Sequence, residues 1–450
     1  MPGSEQGASR PLFTRSELLR LIIPLVIEQL LLMTVGMADT VMVTTSGEAA
    51  VSGVSLVDNI NTLIIQIFSA LSTGGAVVVA QYLGRREAGN AKLASKQLLY
   101  TMTAVSVFLM AAALLFRQHI LSLIFGHVEA DVMESALVYF LITAAAYPFM
   151  GVYNAGSALF RAMGNSSVSM FCSLVVNVIN IAVNAIFIYG FGMGAAGAGI
   201  GTLASRIAAA IIIMVMLNHK SNAVRVEGVF HLEFRGDMIK RILFVGIPNG
   251  LENGMFQAGK LVVLNLIATF GTSAVAANAI ANSIAGVVNV PGTAIGLSII
   301  TVIGRCMGAG ETGQAAHYTK RLVGASYVCM LVMSTGMFLF ADTLVSWFNL
   351  TPQAVQMAGQ VLRACAVGNV LFWPMAFTMP NALRAAGDVR VPMVISITSM
   401  LVVRVGGSYL LGLHFGLGAI GVWLAMVGDW VVRLICFVLR ARKKLWLEHR

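Results

Sequence analysis

Long apolar runs separated by short polar connections set the pattern of this chain. Runs of about 20 or more residues, the length needed to cross about 30 Å of hydrocarbon, fall at roughly 18–43, 52–81, 93–116, 131–160, 166–190 and 196–217. Six more follow, at roughly 240–267, 273–302, 319–341, 353–382, 391–413 and 418–439. The pattern predicts an all-α polytopic membrane protein with twelve transmembrane helices. The connections alternate in charge. One set carries basic residues, among them Arg85, Arg86, Lys92, Arg161, Lys220, Arg225, Arg235, Arg305, Lys320, Arg321, Arg384, Arg390, Arg440, Arg442, Lys443 and Lys444; the other is nearly uncharged, with Arg117 alone. Positive residues are retained in the cytoplasm, so an even number of spans places both termini there, in a plasma (bacterial inner) membrane protein.

Asn218 to Asp237 is the longest polar connection, and its two flanks repeat each other at an offset near 224. Pro24 maps to Pro248 and Glu28 to Glu252; GRREAG (84–89) meets GAGETG (308–313), and FGMGAAG (191–197) meets FGLGAIG (415–421). With small drifts Pro148 meets Pro374, and ALFRAMGN (158–165) meets ALRAAGD (382–388). The division is a cytoplasmic tail 1–17, a lobe 18–217, a cytoplasmic connection 218–239, a second lobe 240–439 and a basic tail 440–450. Each lobe holds six spans, an even number, so the two insert in one orientation, related by an axis along the membrane normal. The cleft between them is the expected place for a substrate.

Composition agrees: 58% hydrophobic and 11% charged residues are far from a soluble domain's balance. The net charge of +10 follows the positive-inside distribution rather than forming a groove for nucleic acid, which is not expected as a partner. Five cysteines without CxxC spacing indicate neither a metal centre nor a disulfide framework. Residues 1–13 are polar and the first apolar run goes directly into a full-length span, so no cleavable leader is expected. HExxH, GxSxG and phosphate-loop motifs are missing, so the chain is not expected to be an enzyme or to carry a cofactor, and the glycines of GMGAAGAGIG (192–201) read as close helix packing.

The informative residues are polar ones inside the apolar runs. Glu28 and Asp39 are eleven residues apart, so on a helix they share a face about 16 Å apart along the axis. A charge at the bilayer centre costs about 2.5–3.5 kcal/mol even on insertion scales, so such a face turns toward a cavity or partners. Asn177, Asn180 and Asn184 give one helix a face of amides, which either ties helices together or walls a cavity; Asn278, Asn282 and Asn289 do the same in the second lobe. Lys260 stands one turn before Val263, the repeat equivalent of Asp39, so the halves differ chemically. It can pair with Glu252, pair with a carboxylate across the cleft, or lie neutral. Met33, Met37, Phe256 and Trp373, with other methionines and aromatics, serve either as packing or as an adaptable surface for varied ligands. Pro24 and Pro248 bend equivalent helices, as static kinks or as hinges, with Pro291 and Pro374 as further bends.

With PLVIEQ…MADTVMV in the first span, GMGAAGAGIGTLASR opening the sixth, GIPNGLENGMFQAGK in the seventh and ALRAAGD at the tenth, the chain resembles the multidrug and toxic compound extrusion transporters over residues 14–442. The resemblance implies two six-helix lobes in a V, and export of cationic or amphiphilic compounds in exchange for H⁺ or Na⁺. It makes Asp39 the coupling acid and places Tyr139, Asn180 and Thr202 around the cation pocket. Asn184 stands where many relatives carry aspartate. Sodium needs several oxygen ligands, preferably charged, whereas one acid suffices to load and release a proton. The expectation is therefore proton coupling at Asp39, with Na⁺ at Asp39 as the alternative, and a monomer in the bilayer. The other alternative is a lipid-linked precursor flippase, which would line its cleft with cations; only Lys260, Arg363 and Arg404 stand out as available for that.

Overall fold

The computed structural model describes residues 11–126, 128–220, 222–228, 233–348, 351–443 and 445–447. The first ten residues of the amino-terminal tail, part of the connection 218–239 and the last residues of the basic tail lie outside the described residues. The first half comprises α1 (Arg15–Val43), α2 (Glu48–Gly84), α3 (Ala88–Phe125), α4 (Ala130–Ala145), α5 (Tyr147–Ala162), α6 (Ser166–Asn184) and α7 (Gly194–Leu217). The second comprises α8 (Gly236–Ala268), α9 (Thr272–Gly308), α10 (Thr312–Leu339), the short α11 (Ala341–Ser346), α12 (Pro352–Leu371), α13 (Met379–Ala385), α14 (Arg390–Thr398) and α15 (Gly418–Arg442). Thr14 starts α1 with a capping box: its side chain accepts from the Glu17 backbone at 3.2 Å, and Glu17 accepts from the Thr14 backbone at 2.7 Å.

Among the described residues nine helices are long and apolar enough to cross a membrane. Two expected spans are each broken instead of continuous: α4 and α5 meet at 48°, and α12 meets the Pro374–Ala385 segment at 64°. The breaks fall at Pro148 and Pro374, the repeat pair, where a missing N–H and the ring's clash with the preceding turn disrupt the helical ladder. α8 supplies the remaining span. It is 33 residues long but interrupted by Asn249, Glu252, Asn253, Gln257 and Lys260. Pro24 and Pro248 lie within helices that run unbroken past them.

The repeat is written in the backbone as well. Gly47 and Gly271, 224 apart, both enter the next helix with positive φ, 98° and 99°. Gly192 and Gly416 share 66° and 68°, and Gly194 and Gly418 share 52° and 57°. Both halves run into a π-helical turn at the same place, Ala185–Gly190 and Tyr409–His414. A further π run, Ser399–Gly406, contains Arg404.

The cores show how the halves are joined. The amino-terminal part of α1 (Leu18, Leu21, Leu25) packs with α9, α10 and α13 of the second half, while Val35, Met42 and Val43 pack in the first-half core. α8 mirrors this: Ile242 and Val245 lie in the first-half core, Val263, Leu266 and Ile267 in the second. Each of these helices passes from one lobe's core to the other's, and its proline stands near the passage. Hydrogen bonds between the halves gather at the basic ends: Gln81 donates to the Ala385 carbonyl at 3.0 Å, Thr301 to that of Arg161 at 2.9 Å, and Arg305 to that of Ala162 at 3.0 Å.

Candidate functional site

α1 and α6 bring the first-half polar residues together. Asn177 donates to the Leu31 carbonyl of α1 at 3.1 Å, so its amide ties the two helices. Two turns on, Asn184 Nδ2 donates to Asp39 Oδ1 at 2.5 Å and to Asn180 Oδ1 at 3.3 Å. Asp39 is 6% exposed, and Asn180 and Asn184 are fully buried. Tyr139 enters from α4 and donates to Asp58 Oδ1 of α2 at 3.0 Å; Asp58 also accepts from Asn61 at 3.4 Å, and Asn61 accepts from Tyr147 at 3.0 Å. Thr202 lies beside Tyr139. Asp58 and Arg206 are within electrostatic reach of Asp39, and Arg206 Nε is buried without a partner.

The cluster thus holds two carboxylates where sequence reasoning counted one. Asp58 was legible as an acid inside the second apolar run, in DNIN, the same signal that singled out Asp39. Two carboxylates so close in apolar surroundings are best satisfied by sharing a positive charge, whether proton, metal ion or organic cation.

The other two acids on the polar faces of α1 and α8 sit in ion pairs. Glu28, 2% exposed, meets Arg161 of α5 at 3.4 Å; Glu252, 9% exposed, meets Arg384 of α13 at 2.5 Å. These are one pair repeated, since Arg161 and Arg384 hold the same place in ALFRA and ALRA. A Glu252–Lys260 pair does not form: the arginine's planar fork takes the carboxylate, and among the described residues no ion pair joins Lys260 to an acid.

The second half forms the cleft wall. An open cleft is lined by Glu252, Phe256, Lys260, Trp373, Arg384 and Arg433, with Gln66, Ser69 and Thr73 facing them from α2. Trp373 and Phe377 stack at 5.2 Å. Asn278 accepts from Trp423 Nε1 at 3.0 Å and from Asn282 at 3.0 Å, and these amides line an adjoining cavity with Lys260. Met33 reaches α9, where a Cβ on Gly286 would lie 3.0 Å from its methyl carbon; Met37, one turn on, is 68% exposed. Arg363 is a surface residue paired with Asp342 at 2.6 Å, not a cleft cation. Arg384 and Arg433 are, although both fell outside the sequence count. Arg433 was legible as the i+4 partner of Asp429, which it binds at 3.0 Å.

Comparison with known proteins agrees with this architecture. The MatE family model matches residues 24–186 and again 248–410, each bound displaced by 224. The chain is 27% identical to the probable multidrug resistance protein NorM of Thermotoga maritima, over 93% of this chain and 90% of that protein. It is 26% identical to the uncharacterized transporter YisQ of Bacillus subtilis, over 94% and 93%. A crystal structure described as MATE in the bent conformation superposes with a TM-score of 0.89 at 22% identity, covering 96% of both chains. That superposition places twelve helices in two lobes. Two matches of one family model, joined end to end and meeting in a polar cleft, make this chain a member of the MatE family of multi-pass membrane transporters, which are not enzymes.

Proposed function

We propose that the protein exports cationic or amphiphilic small molecules across the plasma membrane in exchange for protons, with Asp39 as the coupling carboxylate. Support comes chiefly from where Asp39 sits. It is buried on the outer half of α1, held by a short bond from Asn184 with Asn180 beside it, while the inner half of the same helix belongs to the opposite lobe's core. A change of charge at Asp39 therefore acts on an element shared by both lobes. A proton and a cationic substrate compete for the ionised form, so each lobe arrangement favours one of them. Pro24 and Pro248 leave the Arg20 and Phe244 carbonyls without their helical donors, which lowers the cost of bending where each helix changes core. In this reading the protein acts as a monomer with both termini cytoplasmic.

Sodium coupling is the second reading, and Asp58 favours it. A second carboxylate, with the buried and unpartnered Asn184 Oδ1, gives the pocket more of the oxygens a hard cation needs. Efflux from proteoliposomes under separately imposed gradients, with the membrane potential clamped, decides. Proton coupling expects efflux in nominally Na⁺-free buffer; transport restored only by millimolar Na⁺ overturns it.

A further inference from the structure

The acid pocket of the first lobe has a counterpart in the second at the same repeat positions, with its polarity reversed. A shift of 224 residues takes Asp39 to Val263, Asp58 to Asn282, Asn180 to Arg404 and Gly36 to Lys260. Those four positions lie together in the fold: Val263, Asn282, Arg404 and Lys260 line one cavity with Asn278 and Trp423. Two carboxylates have gone and two cations have come.

The cations are not neutralised from within. Arg404 is 7% exposed, and its Nε is buried without a hydrogen-bond partner. Asp429, the carboxylate whose charge reaches it, is already bound by Arg433 at 3.0 Å and by Ser399. Two guanidiniums thus share one acid. Lys260 lines the same cavity within electrostatic reach of Arg404 and has no ion pair among the described residues, while Arg384 is taken by Glu252. Phe256 lies under Arg404 at 5.2 Å and Arg433 at 5.7 Å, which orients the guanidiniums without cancelling them. A buried, unpaired guanidinium is costly unless an anion meets it, and its planar donors match an oxyanion.

We infer that this cavity binds an oxyanion group (carboxylate, sulfonate or phosphate) of the transported molecule. The inference rests on the exporter reading above for its word "transported", but not for the existence of the site.

Rhodamine 6G, a cationic ester, and rhodamine 19, its free acid, differ only by the anion and form the probe pair. Fluorescence anisotropy with the full chain in phosphatidylcholine nanodiscs should show the acid binding about tenfold tighter than the ester, the size of one charge-assisted contact. Lys260→Gln and Arg404→Gln should each erode the acid's affinity about tenfold more than the ester's; Lys260 is exposed, so its variant tests the site even where Arg404→Gln fails to fold. Equal affinity for both dyes, or equal losses in the variants, overturns the proposal. So does an advantage of the acid that disappears when phosphatidylglycerol is added, because the cavity then takes lipid phosphate. Intact discrimination in binding, with neither dye moved by any gradient, sinks the exporter reading and leaves the anion site standing.

Discussion

Gly84 and Gly308 occupy one position of the repeat, and each presses into the backbone of the other's helix. A Cβ on Gly84 would collide with the carbonyl oxygen of Arg305, and one on Gly308 with that of Gln81, residues that are themselves 224 apart. The lobes therefore close at the basic end through a reciprocal contact that no side chain can enter. Gly84→Val and Gly308→Val should each cost about 1–3 kcal/mol through overpacking, and by similar amounts. Thermal melting of purified protein checks both size and symmetry; a large effect at one glycine with none at the other contradicts the reciprocal contact.

Asp39→Asn should abolish gradient-driven efflux while the protein still reaches the membrane folded, because an amide keeps the shape but cannot carry a titrating charge. Asn184→Ala should weaken efflux less, since it removes one donor to Asp39 and leaves the acid. Dye efflux at matched expression orders the two; equal and complete loss in both refutes that ordering.

The Glu252–Arg384 pair is buried, so removing one member leaves an uncompensated charge. Arg384→Met alone should destabilise by about 3–5 kcal/mol, and adding Glu252→Gln should recover part of it. The same pair of variants at Arg161 and Glu28 should follow the same pattern. Melting temperatures of the single and double variants decide, and a double variant no better than the single would show that packing, not charge, dominates.

Arg86 has φ 60°, a left-handed conformation that its repeat partner Gly310 adopts as glycine at 76°. Arg86→Gly relieves a strain of about 1–2 kcal/mol but adds freedom to the unfolded chain, so stability should change by less than about 1 kcal/mol. Gly310→Arg lacks the first benefit and should lower the melting point.

The twelve spans and the repeat were legible because the bilayer demands long apolar runs and a duplicated chain keeps its punctuation, Gly47 with Gly271 and Pro148 with Pro374. Asp39, Asn180 and Asn184 were legible because polar groups in such runs are rare. Pro374 announced the bend that follows α12, but the break at Pro148 was not legible, since hydropathy averages across it. Nor were the partners. Glu252 had Lys260 two turns on along its own helix, whereas Arg384 stands 132 residues away and reaches the carboxylate only because folding brings α13 to the same cleft. Asp58 and Arg433 carried the same signal as Asp39, but without a helix map nothing told which pocket each would enter.

The joint between the lobes presses glycine hydrogens against backbone carbonyl oxygens, and the side-chain bonds beside it likewise end on backbone carbonyls, groups that every amino-acid chain possesses. A duplicated gene could therefore keep this joint intact while the two copies drifted apart chemically. One copy is free to hold aspartates and the other to hold arginine and lysine at matching places. Changing what such a carrier takes up then requires few substitutions, none of them on the surface where the halves meet at the basic end.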